Sequence, residues 1–386
     1  MATAHLVAAS LGLLLLAAVA AGVGYTLAAA IVTARFFRPT ARPARRAEAV
    51  TLLKPLHGDE PRLLDNLATF ITLDHDGPVQ LLLGVQRHDD PAIAVVDRLR
   101  ARFPAARIDL VVDPRPHGAN GKIANLINMA PHAAHPVLVL SDSDIAVAPD
   151  YLARVLAALD APGVGAVTAP YRARGDTGFW SRVGAAGLDW HMLPGVVFGV
   201  SAGLATPCMG STIALHAETM AAIGGFGAFA DTLADDYAIG QAIRAHGERV
   251  AVLPMLVTHA GADASLVALW RHEVRWGATI RGVEPVGYAA GIIAMPLPLA
   301  LLMVPLHPFA GAGAILAAWA ARTFLAAAIG RATGTRPLPL ALLPLRDCLT
   351  FATFLASFFA RSVDWRGSSL RMRHDGLIAA DPEISA

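Results

Sequence analysis

Charged residues and cysteine are both scarce in this sequence of 386 residues. Asp, Glu, Lys and Arg together make up 16% of it, whereas soluble domains contain about 25%. A formal net charge of +1 leaves no basic surplus for binding nucleic acid. The two cysteines, Cys208 and Cys348, form no Cys-x-x-Cys motif, and neither a zinc site nor a disulfide framework is indicated. Hydrophobic residues account for 55% of the chain, a share that favours a membrane protein.

An uncharged stretch extends from Leu6 to Ala34, and about 20 apolar residues suffice to cross a bilayer. The alternative is a signal peptide, which would have basic residues before an apolar run of about 7–15 residues. No Lys or Arg precedes this run, so we predict an uncleaved membrane anchor at residues 1–34. Five arginines follow between Arg35 and Arg46. By the positive-inside rule they place this flank, and the domain after it, in the cytoplasm.

Apolar segments return near the end of the sequence. Val286–Leu306 and Phe309–Gly330 are long enough to cross the membrane, and we expect both to do so. Pro337–Ala360 is ambiguous, because its prolines would disrupt a straight helix and because Arg346 with Asp347 would be costly inside a bilayer. Two C-terminal spans and a basic tail predict a multi-pass membrane protein whose tail is cytoplasmic.

Residues 48–284 have the pattern of an α/β domain. Short apolar runs, typical of strands that are buried on both faces, alternate with segments of helical character. This alternation predicts a mostly parallel sheet with helices on both faces, in which ligands bind beyond the carboxyl ends of the strands. The predicted strands are Ala49–Leu53, Val79–Val85, Ile108–Val112, Val137–Leu140 and Val164–Thr168, and the predicted helices are Pro61–Ile71, Pro91–Arg102, Asn120–Met129 and Pro149–Leu159. The expected domain plan is an anchor at 1–34, a basic linker at 35–47, the α/β domain at 48–284, a C-terminal membrane region at 285–360 and a basic cytoplasmic tail at 361–386.

Acidic pairs stand at two informative places in this domain. Asp142 and Asp144 directly follow the predicted strand Val137–Leu140, and at a spacing of two residues on an extended segment both point the same way. Two such carboxylates can hold one Mg²⁺ or Mn²⁺ ion, whose remaining positions are commonly filled by phosphate oxygens. A polar loop is the alternative. Asp235 and Asp236 open a helical pattern, where a carboxylate could serve as a general base or simply cap the helix.

Other charged and aromatic residues are weaker candidates. Asp90 follows the second predicted strand, and the scarce lysines Lys54 and Lys122 stand at a predicted strand end and in a loop. Solvated surface positions would explain all three equally well. Arg275 could clamp a diphosphate and Trp276 could stack on a base or a sugar. The alternative for this last pair is an amphipathic helix at the membrane interface.

Taken in order, these motifs resemble those of the family 21 glycosyltransferases, which include ceramide glucosyltransferases, and the resemblance covers nearly the whole chain. The residues that carry it are Leu53-Lys54-Pro55-Leu56 with Gly58, Asn66-Leu67, Val85-Gln86, His88–Ile93, Asn120–Ile123 with Asn125-Leu126, Asp142-Ser143, Ala234–Tyr237 and Arg275-Trp276. The resemblance implies a GT-A fold, a UDP-sugar donor, a divalent metal and an inverting single displacement onto a lipid hydroxyl.

The resemblance also implies roles for particular residues. Asp236 would be the catalytic base, Asp142 and Asp144 the ligands of Mg²⁺ or Mn²⁺, and Asp90, Arg275 and Trp276 the binding residues for the nucleotide sugar. From their positions in the sequence, Lys54 and Lys122 are further candidates for binding the nucleotide sugar. His191, in the Gly-rich region before Thr212, is either an acceptor contact or a satisfied core histidine. His272 stands where the family often has Gln or Arg, and this departure leaves the role of position 272 open.

Several functions remain to be separated. The form of the last motif, the complete Asp142-x-Asp144 pair and a tail with Trp365-Arg366-Gly367 are most similar to family members of bacterial hopanoid biosynthesis, which implies transfer of N-acetylglucosamine to bacteriohopanetetrol. Transfer of glucose to ceramide is the alternative. A processive polysaccharide synthase would need a channel of several spans. A transporter or a membrane scaffold would not need the ordered acidic motifs.

Overall fold

The computed structural model describes residues 2–335, 338–360, 362–365, 368–372 and 378–380. Much of the tail 361–386, for which we predict a cytoplasmic position, lies outside these ranges. The strands are β1 Val50–Pro55, β2 Val79–Val85, β3 Arg107–Val112, β4 Val137–Leu140, β5 Ile145–Ala146, β6 Val164–Thr168, β7 Tyr171–Gly175, β8 Ile213–His216, β9 Arg249–Val252, β10 Val257–Gly261, β11 Ser362–Trp365, β12 Ser368–Met372 and β13 Ile378–Ala380.

The α-helices, in chain order, are α1 Ala2–Phe36, α2 Leu63–Thr69, α3 Ala92–Arg102, α4 Gly121–Met129, α5 Tyr151–Leu159, α6 Phe179–Gly187, α7 Leu193–Ser201, α8 Ala217–Ala222, α9 Asp235–Ala245, α10 Leu266–Val283, α11 Pro285–Ala290, α12 Pro296–Leu301, α13 Pro308–Thr333 and α14 Leu343–Ser357. Leu188–Met192, between α6 and α7, is a π-helix. The chain divides into two compact units. An α/β unit comprises Pro39–Thr177, Ala205–Ala262 and Ser362–Ala386, and a helical unit comprises Met1–Arg38, Gly178–Leu204 and Asp263–Arg361.

The main sheet of the α/β unit has seven strands in the order β3-β2-β1-β4-β8-β6-β9. Strands β3, β2, β1 and β4 are parallel, as are β6 and β9, and only β8 within this sheet runs antiparallel to its neighbours. All five predicted strands are present in it. The prediction of a mostly parallel α/β sheet is confirmed.

Both faces of this sheet are covered by apolar side chains. Successive side chains of a strand point to opposite faces, and every residue of β1 is buried. Leu52 and Val139 belong to the hydrophobic cluster on one face, and Leu53 and Leu140 belong to the cluster on the other. Because β1 and β4 are parallel and adjacent, their carboxyl ends meet at one edge of the sheet, where polar residues follow.

A second, smaller sheet begins directly after Asp144. Its order is β5-β10-β7, with β10 antiparallel to β5 and parallel to β7. The register pairs His259 with Ile145 and Val257 with Tyr171. This pairing brings β7 and β10 beside the acidic segment that follows β4.

Four helical segments of the described chain are long and apolar enough to cross a membrane, namely Ala9–Phe36, Phe179–Ser201, Pro308–Thr333 and Leu340–Ser357. The first and third correspond to the predicted anchor and to the predicted span at Phe309–Gly330. The fourth lies within Pro337–Ala360, the segment that the sequence left ambiguous. Phe179–Ser201 was not predicted as a span, since the sequence pattern assigned it to the α/β domain, and its residues are grouped with the helical unit.

The prediction of a continuous span at Val286–Leu306 is wrong. In the structure, α11, the 3-10 turn Gly291–Ala294 and α12 divide this segment into pieces of six, four and six residues. None of these pieces approaches the length of about 20 residues that a span requires. Proline lacks a backbone N–H and clashes with the preceding turn, and Pro296 stands where α12 begins anew.

Candidate active site

The start of helix α4 is fixed by Asn120, the residue before it. The Asn120 side-chain oxygen accepts hydrogen bonds from the backbone N–H groups of Lys122 (2.9 Å) and Ile123 (3.1 Å), as helix caps do. Its amide group donates to the carbonyl oxygen of Thr232 at 2.7 Å. One side chain therefore sets both the position of Lys122 and the approach of the segment that leads into α9.

The Lys122 ammonium lies between two carboxylates. Its Nζ is 2.9 Å from Asp142 Oδ1 and 3.0 Å from Asp235 Oδ2. Burial lowers the pKa of Lys122, but attraction to Asp142 and Asp235 outweighs it, and the net shift is upward. Burial also raises the pKa of Asp142, an effect that Lys122 opposes. Lys122 therefore stays charged and joins the end of β4 to the start of α9.

Asp236 is held by backbone amides at the first turn of α9. Its Oδ2 accepts a hydrogen bond from the Gly210 N–H at 2.9 Å, and its Oδ1 accepts one from the Tyr237 N–H at 2.8 Å. Burial and repulsion by Asp235 raise the pKa of Asp236 to about 6, while Lys122 and the two amides oppose the rise. This carboxyl group is therefore ionised at neutral pH but is a stronger base than an ordinary aspartate.

Gly210 joins the two acidic segments through its peptide groups. Its carbonyl oxygen accepts a hydrogen bond from the Asp142 N–H at 3.1 Å, while its N–H donates to Asp236. A Cβ atom at this position would lie 2.7 Å from Asp142 Oδ2 and 3.0 Å from Lys122 Nζ. Only glycine leaves the carboxylate and the ammonium in their present positions.

Asp144 contacts the smaller sheet. The Nε2 atom of His259 lies 3.1 Å from Asp144 Oδ2, and the Ala260 N–H donates to the Asp144 carbonyl oxygen at 2.8 Å. Burial lowers the pKa of His259, but the Asp144 carboxylate outweighs it, and the net shift is upward. The ring of Tyr171 lies beside His259, with 5.5 Å between the ring centroids. Burial and then repulsion by Asp236, Asp144 and Asp142 raise the pKa of the Tyr171 phenol.

Lys54 contacts the segment that carries Asp142, and direct binding of the nucleotide by Lys54 stays a prediction. Its side chain is fully buried, and its Nζ donates to Ser141 Oγ (3.0 Å) and to the Asp142 carbonyl oxygen (2.7 Å). The ammonium also lies 3.6 Å from the centroid of the Phe70 ring. Burial lowers the pKa of Lys54 to about 7. The contacts give Lys54 the role of holding the backbone of the segment that carries Asp142.

Asp90 is likewise mostly buried. Its Oδ1 accepts hydrogen bonds from the Gly58 N–H and the Ala92 N–H, both at 2.9 Å. The carboxylate therefore links the loop after β1 to the start of α3. Direct binding of a nucleotide by Asp90 stays a prediction.

Arg275 and Trp276 lie on α10 and belong to the helical unit. Thus the structure does not place them in the same unit as the carboxylates. His272 precedes them by one turn, with its Nδ1 2.9 Å from Asp263 Oδ2 and its ring edge-on to Trp276 at 4.5 Å between centroids. Position 272, which the sequence left open, therefore contacts both Asp263 and Trp276.

His191 is also part of the helical unit. Its Nε2 lies 2.8 Å from Asp347 Oδ1, and Arg322 Nη2 lies 2.7 Å from the same nitrogen. Both partners lie at Nε2, whereas Nδ1 is buried without a hydrogen-bond partner in the described part of the chain. A contact between His191 and an acceptor stays a prediction.

The acidic cluster of the α/β unit fits a divalent cation that is shared with a phosphorylated ligand. Asp142 and Asp144 are each about one-third exposed, at 37% and 32% of their side-chain surface. No three His, Cys, Asp or Glu side chains of the described ranges form a ready-made metal site. Mg²⁺ is commonly held by one or two carboxylates together with substrate phosphates. The two aspartates match that pattern.

The sequence profile described as Glycosyl transferase family 21 matches residues 13–378. The chain belongs to this family. The acidic motifs described above are therefore those of a glycosyltransferase family member. The Asp142-Ser143-Asp144 segment follows a strand, and Asp235-Asp236 begins a helix.

Two curated relatives of this family 21 chain come from Caenorhabditis elegans. Ceramide glucosyltransferase 1 is 23% identical over 229 residues, which are 59% of this chain and 48% of the relative. Ceramide glucosyltransferase 3 is 26% identical over 237 residues, or 59% of this chain and 49% of the relative. The chain spans about half the length of the curated relatives that it matches.

A solved structure shares the fold. The mannosyltransferase PcManGT from Pyrobaculum calidifontis, in complex with GDP-Man and Mn²⁺, has a TM-score of 0.54 and 22% sequence identity. The similarity covers 90% of this chain and 98% of that one. The predicted GT-A-type fold is confirmed.

Three residues near the acidic cluster belong to no sequence motif and could not be predicted as site residues. His259 and Tyr171 lie on short strands far from Asp144 in sequence, and only the pairing of β10 with β5 and β7 brings them together. Gly210 stands in the Gly-rich region before Thr212 that also contains His191. Its close approach to Asp142 depends on tertiary structure.

We predict that Gly210→Ala destabilises the α/β unit, because the added Cβ must displace the Asp142 carboxylate or the Lys122 ammonium. Overpacking of this kind costs about 1–3 kcal/mol, and each kcal/mol lowers the melting temperature of a unit of this size by about 2–4 °C. Differential scanning fluorimetry measures the shift. Gly227→Ala is the control, because a Cβ at Gly227 meets nothing within 4 Å. Equal melting temperatures for the two variants would contradict the expectation.

Proposed function

We propose that this family 21 chain is a membrane-anchored, inverting glycosyltransferase that moves a sugar from a UDP-sugar to a hydroxyl group of a membrane lipid. The observation that carries the proposal is the Asp236 carboxylate, which two backbone amides hold next to the Lys122–Asp235 pair. A general base is most effective when its pKa lies near the working pH. The raised pKa of Asp236, about 6, suits that role.

In the proposed displacement, the acceptor hydroxyl transfers its proton to Asp236 while its oxygen forms a bond to the anomeric carbon. The bond from that carbon to the diphosphate breaks in the same step, and its electron pair leaves with UDP. A single attack from the face opposite the leaving group inverts the configuration at the anomeric carbon.

The proposed donor site is built around the negative charge of the diphosphate. Asp142 and Asp144 would hold Mg²⁺ or Mn²⁺ together with diphosphate oxygens, and the bound ion would neutralise part of the leaving-group charge. The family resemblance assigns Arg275 to the same charge and Trp276 to stacking on the donor. The presence of GDP-Man and Mn²⁺ in the solved mannosyltransferase is in keeping with a metal–nucleotide donor complex.

Lys122, Lys54 and Asp90 would serve this donor site in different ways. Lys122 lies next to Asp142 and Asp235, and we assign it to positioning these carboxylates beside the nucleotide sugar. Lys54 and Asp90 are buried under adjoining loops. We therefore propose that they fix the backbone that surrounds the donor, and direct contact of either residue with the nucleotide stays a prediction.

For the acceptor we propose a hopanoid, with N-acetylglucosamine as the transferred sugar. The support is the similarity of the motifs, including His272-Glu273-x-Arg275-Trp276, to those of the hopanoid-biosynthesis members of the family. Transfer of glucose to ceramide is the second candidate, and the names of the two nematode relatives favour it. His191 is retained as a proposed acceptor contact.

The proposed location is the cell inner membrane, with several spans and with the α/β unit in the cytoplasm. The support for a membrane protein is the set of four apolar helices of the described chain. The support for the orientation is the group of arginines between Arg35 and Arg46, which follows the first of these helices. We also propose the domain boundaries that the sequence predicts, from the anchor at 1–34 to the tail at 361–386.

The proposed function predicts one sugar on each lipid molecule and a requirement for a divalent ion. Purified full-length protein is incubated with UDP-N-acetylglucosamine or UDP-glucose and with bacteriohopanetetrol or ceramide, in the presence of Mn²⁺. Mass spectrometry of the extracted lipids should reveal a product with a single added N-acetylhexosamine residue, or a single hexose residue if glucose is the transferred sugar. Excess EDTA should abolish its formation. A polymer would indicate a processive synthase, and undiminished transfer in EDTA would contradict the metal site.

We expect Asp236→Asn to lower kcat by about 10²–10⁴-fold, since it keeps the shape of the side chain but removes the general base. UDP binding by calorimetry should stay near the wild-type value. The wild-type rate should fall below about pH 6, where Asp236 takes up a proton, and the residual rate of the variant should lack this limb. Asp97→Asn, at an exposed position of α3, is the control. Full activity of Asp236→Asn, or complete loss of UDP binding, would rule out the base assignment.

A further inference from the structure

The helical unit contains charged side chains that are buried among apolar helices. Arg322 on α13 and Arg346 on α14 are each 2% exposed, and Asp347 on α14 is 0% exposed. Charged residues within membrane segments are costly, and they usually pair with one another or mark a functional site. Each of these three side chains has an oppositely charged partner at hydrogen-bond distance.

Asp347 joins α14 to two other segments. Its two oxygens accept hydrogen bonds from Arg322 Nε and Nη2, both at 2.8 Å, in a bidentate pair. His191 Nε2 lies 2.8 Å from the same carboxylate, and Arg322 Nη1 donates to the Trp190 carbonyl oxygen at 2.9 Å. The position of α14 is thereby fixed against α13 and the π-helix Leu188–Met192.

Arg346, the preceding residue, connects α14 to α10. Its Nη2 lies 2.7 Å from Glu273 Oε1, and Thr353 of the same helix donates to Glu273 Oε2 at 3.1 Å. Gly187 provides the space for this guanidinium group, because a Cβ there would overlap Arg346 Nη2. Both oxygens of Glu273 are thus held by side chains of α14.

This ion pair is poorly suited to a role in stability alone. Within the described part of the chain, Arg346 Nε and Nη1 are buried without a hydrogen-bond partner. A buried ion pair with unsatisfied donors is often no more stabilising than apolar residues of similar size, and its retention can reflect a fixed orientation instead.

Glu273 lies on α10, the helix that also carries the family motif residues Arg275 and Trp276. An α-helix turns by about 100° for each residue, so Arg275, two residues after Glu273, projects from nearly the opposite side of α10. Attaching Glu273 to α14 therefore determines the direction in which Arg275 points. Trp276 is one residue further on, and its ring is contacted by His272.

We propose that Arg346 is a positioning residue for sugar transfer, which, by holding Glu273 on helix α10, sets the direction of Arg275 and Trp276. The inference rests on the proposed function, because the two motif residues are assigned there to the donor. Misplacement of a reacting group by about 1 Å can cost about 10²-fold in rate. Loss of the ion pair should therefore lower kcat/KM for the UDP-sugar strongly while it changes the melting temperature little.

The experiment compares Arg346→Met, Arg346→Lys and Glu273→Gln with wild type as full-length protein in detergent. Arg331→Met, at an exposed arginine of α13, is the matched control. The readouts are kcat and KM for the UDP-sugar, hydrogen–deuterium exchange of peptides from α10, and the melting temperature. Combining Arg346→Met with Glu273→Gln completes a double-mutant cycle.

We expect Arg346→Met to lower kcat/KM for the UDP-sugar by about tenfold to 100-fold and to speed exchange in α10. Arg346→Lys, which keeps the charge, should recover part of the activity, and the double variant should be no worse than the more impaired single one. Glu273→Gln is the milder variant if Arg346→Met does not fold. Wild-type kinetics in folded Arg346→Met or Glu273→Gln, or additive losses in the double variant, would overturn the positioning role. A wild-type protein that transfers no sugar would instead overturn the proposed function and, with it, this role.

Discussion

The ion pairs of Lys122 are the constraint on which the α/β site depends. Four carboxylates, those of Asp142, Asp144, Asp235 and Asp236, are brought to one region by β4 and α9, and like charges at short range repel one another. One ammonium group between Asp142 and Asp235 reduces that repulsion. Asn120 bonds both the backbone at the start of α4 and the segment before α9, and it thereby holds together the two backbone segments that Lys122 and Asp235 belong to. A divalent cation would neutralise part of the negative charge that remains, and it would bind the diphosphate at the same time.

In the helical unit, too, buried charged side chains are paired with side chains of opposite charge. Arg346 and Asp347 seemed to disfavour a span when considered from sequence alone, since a charged residue inside a bilayer is costly. In the structure each has an oppositely charged partner on another helix, Glu273 for Arg346 and Arg322 for Asp347. The charges that made the segment ambiguous are therefore the groups that connect it to its neighbours.

The parts of the structure that local pattern determines were predictable, and the parts that depend on tertiary pairing were not. Runs of apolar residues such as Val137–Leu140 identified the strands because both faces of the sheet are buried. His259 and Gly210 carry no local signal, since β-pairing and a single peptide contact bring them to the aspartates. The complete burial of Lys54 was not predictable either, because sequence cannot distinguish a lysine at an exposed strand end from one buried beneath a loop. Hydropathy alone predicted a continuous span at Val286–Leu306, where the structure has three short helical pieces and Pro296 begins the last of them.

The proposed mechanism is a single displacement at the anomeric carbon with Asp236 as the base. Its most direct test is the configuration of the product. Glycolipid made by the purified protein from an α-linked UDP-sugar is isolated, and the coupling constant of its anomeric proton is measured by NMR. A β-linked product is the predicted result, because one attack opposite the diphosphate inverts the centre. An α-linked product would contradict the mechanism and the role assigned to Asp236.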